Sequence, residues 1–371
     1  MLRNVLLLQL LLGSAVSLEA ADRLELVDVF TAGTEGYHTY RIPALAVTRS
    51  GVLLAFCEGR KTSREDLGDN DLMLKRSSDA GRTWSKLQLV YEEGGDRKIT
   101  IGNPTTVVDR QTGEILVFLQ RNGRDALLVT SGDEGRTWSK ARDITSQVKH
   151  RDWRFYCVGP GAAIQLRFGP HKGRIIVPAY HRLTADKSGA SRAHVFYSDD
   201  HGRTFHLGGV TGLHTNECQV VETVERGRYG LLLNARNHWA RSGGKPKLAG
   251  QRIVVRSVDA GASWQEPEFD KTLVEPTCQA SLFRHSFASA TRRGRILFAN
   301  PAAGSRSRAT VRLSYDEGRS WPVSRTFYPG SSAYTAIEVL TGGEIVVLFE
   351  RDGYQKLTLA RFGLQWLETA K

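Results

Sequence analysis

The sequence predicts an all-β chain folded as a six-bladed β-propeller of four-stranded antiparallel sheets. Three observations point there. One eight-residue pattern returns five times at intervals of roughly 55 to 65 residues, a scale on which repeat architectures are built. A short run with strand composition precedes every copy. No long segment spaces its apolar residues at helical period.

The pattern is Ser-x-Asp-x-Gly-x-(Thr/Ser)-(Trp/Phe). Its copies begin at Ser77, Ser131, Ser198, Ser257 and Ser314 and end at Trp84, Trp138, Phe205, Trp264 and Trp321. This is turn chemistry. The aspartate can accept N–H groups of its own turn, and the glycine takes the φ > 0 position. The closing aromatic can pack between neighbouring sheets.

In chain order, residues 1–21 stand apart from the rest. Arg3 precedes an apolar run at 5–12, and small residues follow at 13–17. That arrangement reads as a secretory signal peptide cleaved between Ser17 and Ala21, and the run is too short to span a bilayer. Strand runs at 72–74, 127–129, 194–197, 253–255 and 310–313 lead into the five repeats, with others between them at 115–119, 175–177 and 231–233. After the last repeat, 333–340, 344–349 and 356–362 supply three more strands, and 24–30 can close that sixth blade. Residues 22–371 are expected to form one domain.

With 40% hydrophobic and 24% charged residues, the composition is that of an ordinary globular chain. Its net charge of +12 suits anionic partners such as acidic glycans. Lysines and arginines are scattered without a basic run, which makes nucleic acid the weakest partner class. No later segment is apolar enough for a membrane helix, so the mature chain is expected to be soluble, secreted or periplasmic, and monomeric. Cys57, Cys157, Cys218 and Cys278 lie far apart with no C-x-x-C pair, which argues against zinc. Their even number permits disulfides, and buried free thiols fit equally well.

The repeats resemble the Asp-boxes of sialidases. Such boxes occur in other propellers too, so they specify fold more than chemistry, and their aspartates are expected to be structural. Outside the repeats, Tyr40-Arg41-Ile42-Pro43 is similar to the (Phe/Tyr)-Arg-Ile-Pro signature of the family. The resemblance implies that Arg41 binds the carboxylate of a sialic acid. A planar, permanently charged guanidinium suits that task. It also implies two further arginines. Arg236 ends the strand Leu231-Leu232-Leu233-Asn234-Ala235-Arg236, and Arg306 lies eight residues before the box serine Ser314, with Arg308 as its rival.

The same resemblance supplies the reacting groups. Tyr334, in Ser332-Ala333-Tyr334-Thr335, matches the family's Ser-x-Tyr-Ser segment except that threonine replaces the last serine. Sialidases are the glycosidases that use a tyrosine nucleophile. A neutral phenol avoids the repulsion a carboxylate would meet beside the sugar acid. Glu217, in Asn216-Glu217-Cys218-Gln219-Val220-Val221-Glu222, is the implied base for that phenol. Asp66, on the loop between Arg41 and the first box, is the implied acid/base, with Glu65 and Asp69 as competitors. Arg60 is expected to contact sugar hydroxyls, and Glu350 to hold Arg41. The scheme needs no metal and no organic cofactor.

The function implied is retaining hydrolysis of terminal α-linked sialic acids from oligosaccharides, glycoproteins or glycolipids. Transfer to another sugar, or release of an anhydro product, would use the same residues. The short stretch after Glu350 leaves no room for the lectin domain common in transferases, which favours hydrolysis. A preference for deaminated sialic acid is a further variant. A propeller that binds acidic glycans without chemistry is the reading from another class, and it would be expected to lack one of these residues.

Overall fold

A computed structural model describes residues 23–95, 97–186, 188–239 and 249–369. The signal-peptide expectation for 1–21 lies outside the described residues. After β1 (Glu25–Thr31), the strands β2 (Thr39–Val47), β3 (Leu53–Arg60), β4 (Asn70–Ser77) and β5 (Gln88–Tyr91) form an antiparallel sheet. β6 (Ile101–Val108), β7 (Ile115–Arg121), β8 (Asp125–Ser131) and β9 (Arg142–Asp143) form the next. Then come β10 (Trp153–Val158), β11 (Gly161–Ala162), β12 (Ile164–Gln165), β13 (Ile175–Leu183), β14 (Ser191–Ser198) and β15 (His206–Leu213). Of these, β11 pairs in parallel with β6, while the others make a third sheet in which β10 and β12 both pair with β13. β16 (Thr215–Glu225), β17 (Arg228–Asn237), β18 (Gln251–Ser257) and β19 (Glu268–Val274) make a fourth.

The last sheet departs from the expected pattern of separate four-stranded units. It has seven strands: β20 (Ser281–Ser286), β21 (Arg295–Pro301), β22 (Ser307–Ser314), β23 (Val323–Val339), β24 (Ile345–Arg351), β25 (Lys356–Phe362) and, at its edge, β1. The cause is β23, whose 17 residues stay extended through Pro329-Gly330. Its first part pairs with β22 as far as Ser331, and its second part pairs with β24 from Ser332 onward. The expected role of the run at 24–30 holds, because β1 pairs antiparallel with β25.

The first strands of the successive sheets face one another, with β2 touching β6, β11 and β23, and β16 touching β20. The second strand β3 is apolar along most of its length and buried throughout, because its sheet is covered on both faces. Six apolar clusters fill the spaces between successive groups of strands. In one of them Trp138 meets Phe56 edge-on at 5.6 Å, which carries a repeat's closing aromatic onto the sheet before it. Each fully buried leucine or phenylalanine in such a cluster contributes about 1.5–3 kcal/mol.

All five repeats close in one way. In the first, Asp79 Oδ1 accepts the Thr83 N–H at 2.9 Å and Asp79 Oδ2 accepts the Thr83 hydroxyl at 2.6 Å, while Ser77 Oγ donates to Oδ1 at 2.7 Å. Gly81 has φ 84° and sits so close to the neighbouring β25 that a Cβ there would lie 2.3 Å from Leu359 Cδ2. The corresponding bonds recur at Asp133, Asp200, Asp259 and Asp316. These aspartates belong to their own turns.

Burial works against ionisation of Asp79 and Asp200, but the threonine hydroxyl and N–H outweigh it and bring both to about 2. At Asp133 the Thr137 hydroxyl is the leading cause, again giving about 2. Folded values below the unfolded value of about 3.9 mean stability that is fully present above that pH and lost as pH falls toward 2. Thermal unfolding should therefore soften between about pH 4 and pH 2, and Asp133→Asn should flatten that part of the curve. An unchanged slope in the variant would remove the turn carboxylate from the account.

The four cysteines are free, buried thiols. Among the described residues no helix is long and apolar enough to cross a membrane.

Candidate active site

The site begins with a backbone irregularity shared by several inner strands. In β2, Arg41 pairs with Glu58 but Ala44 pairs with Phe56, so one extra residue is inserted at Ile42-Pro43. β6 has the same insertion between Gly102 and Thr105, β16 between Thr215 and Cys218, and β23 between Ser332 and Thr335. Ile42 and Asn103 sit at φ 57° and 54°. For a β-branched residue that region costs on the order of 1–3 kcal/mol, so something must hold it.

Two buried glutamates do so, using the N–H groups that the bulges release from the ladders. Glu350 on β24 accepts the Ile42 N–H at 3.0 Å, the Tyr334 N–H at 3.1 Å, and Arg41 Nε and Nη2 at 2.8 and 3.3 Å. Its carboxyl is 1% exposed. Burial alone would raise its pKa, but Arg41 and the two N–H donors bring it below the usual value. Glu58 on β3 accepts the Asn103 N–H at 2.9 Å and holds Arg60 through Nε and Nη2 at 3.0 and 2.7 Å. The expected contact between positions 41 and 350 is present.

The bulges on β16 and β23 bring Glu217 and Tyr334 together. The Tyr334 hydroxyl donates to Glu217 Oε1 at 2.5 Å. Arg236 Nη1 donates to both, at 2.6 Å to Glu217 Oε2 and 3.0 Å to the phenol oxygen. Its Nε is buried with no hydrogen-bond partner. Burial first, and then the Glu217 carboxylate, push the Tyr334 phenol well above its ordinary value, while Arg236 and Arg306 pull the other way. Arg41 and Arg306 lie over the Tyr334 ring at 5.5 and 5.7 Å from its centre. Arg41, Arg236 and Arg306 thus converge on one phenol, although their strands come from separate parts of the chain. Arg308, the rival for the third position, is exposed at φ 61°.

Asp66 overhangs this cluster. Its carboxylate, 83% exposed, lies 3.5 Å from Arg41 Nη1 and 3.1 Å from Arg60 Nη1. Glu65 is exposed, and Asp69 pairs with Lys61 at 3.1 Å instead. Arg60 differs from expectation. It is 1% exposed, with its donors committed to Glu58, Asp66 and the Arg64 carbonyl, so its contact is with the Asp66 loop rather than with an open pocket.

Sequence reasoning missed two members. One is Glu58, whose spacing of two residues from Arg60 puts both side chains on one face of β3, a readable sign of a pair. The other is Tyr354, whose hydroxyl accepts Arg306 Nη1 at 2.8 Å and whose ring lies 4.1 Å beneath the Arg41 guanidinium. It follows Glu350 by one short turn, and only the turn residues Asp352-Gly353 hinted at it. Thr335, standing where the family pattern has serine, donates to the Ala299 carbonyl at 2.8 Å and meets Ser281 at 2.9 Å.

Comparison with known proteins agrees with this architecture. The BNR repeat-like domain family matches residues 51–347. The chain is 38% identical to a sialidase of Micromonospora viridifaciens over 92% of its own length and 54% of the relative's. It is 31% identical to a sialidase of Bacteroides fragilis over 80% of its length and 56% of the relative's, so it spans about half of these two proteins. Among solved structures, Hadza microbial sialidase Hz136 superposes with a TM-score of 0.78 at 29% identity, covering 91% of this chain and 68% of that one. Strand order, repeat geometry and sequence likeness over nearly the whole chain agree: it belongs to the BNR repeat-like domain family and is similar to sialidases.

Proposed function

We propose that the chain is a retaining exo-sialidase that hydrolyses terminal α-linked sialic acids from glycoconjugates, with Tyr334 as nucleophile. One observation carries this reading: a buried phenol donates to a glutamate at 2.5 Å while an arginine bridges both. A tyrosine used only for packing needs no such arrangement. In the proposed reaction, Arg41, Arg236 and Arg306 grip the sugar carboxylate, and the unpaired Arg236 Nε is a donor free for it. Protonated Asp66 gives its proton to the glycosidic oxygen as the bond to the anomeric carbon breaks. The Tyr334 oxygen bonds to that carbon and its proton passes to Glu217. Water then attacks, Asp66 takes the water's proton, and the phenol leaves with the proton held by Glu217.

Glu350 orients Arg41, and Glu58 orients Arg60, which in turn steadies Asp66. The near-complete exposure of Asp66 suits a group that exchanges protons with water. We further propose that the seven-stranded sheet is two blades sharing β23, which makes six, a reading supported by the six inter-sheet clusters. The leader reading of residues 1–21 makes the enzyme a secreted or periplasmic one, acting as a monomer.

Asp66→Ala tests the assignment of acid. Its kcat should fall on the order of 10³-fold on sialyllactose but only about tenfold on an aryl sialoside whose leaving group needs no proton. Should Glu65→Ala or Asp69→Ala show that split while Asp66→Ala does not, the acid lies elsewhere on the loop.

A further inference from the structure

The site described above uses the beginnings of the inner strands. Their other ends surround a cavity of about 470 Å³ lined by Val47, Val108, Gln165, Glu222, His285 and Val339. Six residues separate Arg41 from Val47, so at about 3.3 Å per residue the two mouths are about 20 Å apart. Arg49, Arg110, Arg167 and Arg292 line this far cavity, and none of them forms an ion pair among the described residues. A fifth, Arg284, is paired with Glu317.

Neither carboxyl in the cavity lies within ion-pair distance of these four cations among the described residues. Glu222 spends both oxygens on the N–H groups of Arg167 and Phe168, at 2.8 and 2.9 Å. Glu338 accepts only the neighbouring Val339 N–H. Arg110 donates through Nη1 to the Gln165 carbonyl at 2.6 Å, which fixes its guanidinium at the wall. Arg167 and Arg284 lie over the Phe287 ring at 5.8 and 4.8 Å, so an aromatic surface adjoins the cations.

We propose that this far mouth is a second, non-catalytic site for a small molecule carrying one carboxylate or phosphate on a sugar-sized body. Its anionic group pairs with Arg110 and Arg167, and its less polar face rests on Phe287. Ligand pockets of roughly 300–1,000 Å³ commonly combine an apolar wall with a few convergent polar groups in this way. The surrounding chemistry agrees: burial and the adjacent Arg167 pull Arg110 down to about 10, and burial pushes Glu338 up to about 8, leaving it mostly uncharged at neutral pH.

Calorimetric titration of the full chain with glucuronate, inorganic phosphate and neutral glucose tests the site. Glucuronate should bind the wild type and Arg306→Ala alike, and at least tenfold more weakly to the double variant Arg110→Gln/Arg167→Gln. Because neither replaced arginine lies in a strand or forms an ion pair among the described residues, the double variant should fold and keep its hydrolytic rate within about twofold. Phosphate binding with the same variant pattern supports recognition of the anion alone, and stronger glucuronate binding supports an acidic sugar. Glucose binding equal to glucuronate, binding that survives in the double variant, or no binding at all overturns the proposal. Since the readout is binding rather than turnover, failure here is distinct from failure of the proposed hydrolysis.

Discussion

Tyr334→Phe should lower kcat on a fluorogenic sialoside by on the order of 10³-fold or more while leaving the fold intact. The substitution removes one oxygen from the side chain, and the ring keeps its contacts with Arg41 and Arg306. What disappears is the atom proposed to bond the sugar and the proton passed to Glu217. Glu217 keeps its 2.6 Å partner in Arg236, so no buried charge is stranded and Tm should move little. Steady-state kinetics and thermal unfolding on one preparation give the answer. Near-normal turnover would eliminate Tyr334 as nucleophile, and loss of activity with loss of fold would deny it a specific role.

Glu350→Ala should be the most damaging substitution for stability. It strips four hydrogen bonds from one carboxyl, two of them to an arginine that is itself buried. Removing one partner of a buried pair typically costs about 3–5 kcal/mol because the other charge stays behind uncompensated. Ile42 also loses the acceptor that steadies its left-handed backbone. Denaturant unfolding should therefore shift by that amount, and KM should rise because Arg41 no longer presents a fixed fork. Glu350→Gln should recover part of the loss through its remaining acceptor oxygen. A shift below about 1 kcal/mol would mean that Arg41 is held by other contacts. The folded carboxyl titrates below its usual value, so its contribution is present above the unfolded value of about 4.3 and declines as pH falls below it.

How much of this was readable in the sequence depends on how far apart the interacting residues lie. The repeats were legible because each completes its bonding within eight residues, from Ser77 to Trp84 in the first. The grouping of Arg41, Glu217, Arg236, Arg306, Tyr334 and Glu350 was legible only through family resemblance, since no local rule joins positions 41 and 350. Two features went unread for physical reasons. The continuity of β23 is hidden because Pro329-Gly330 interrupts the strand pattern, yet the backbone there stays extended between two sets of partners. The burial of Arg60 is hidden because a charged residue beside a polar loop reads as solvent-facing until Glu58 is counted against it.

The pairing of β1 with β25 joins Glu25 to Arg361, nearly the full length of the chain apart. During synthesis the earliest strand must therefore wait for the last one to emerge. Until it docks, β25 presents an open edge of backbone donors and acceptors to anything nearby. Assembly of this ring thus finishes with its slowest and most distant contact, at the stage when an unfinished copy can be captured by another.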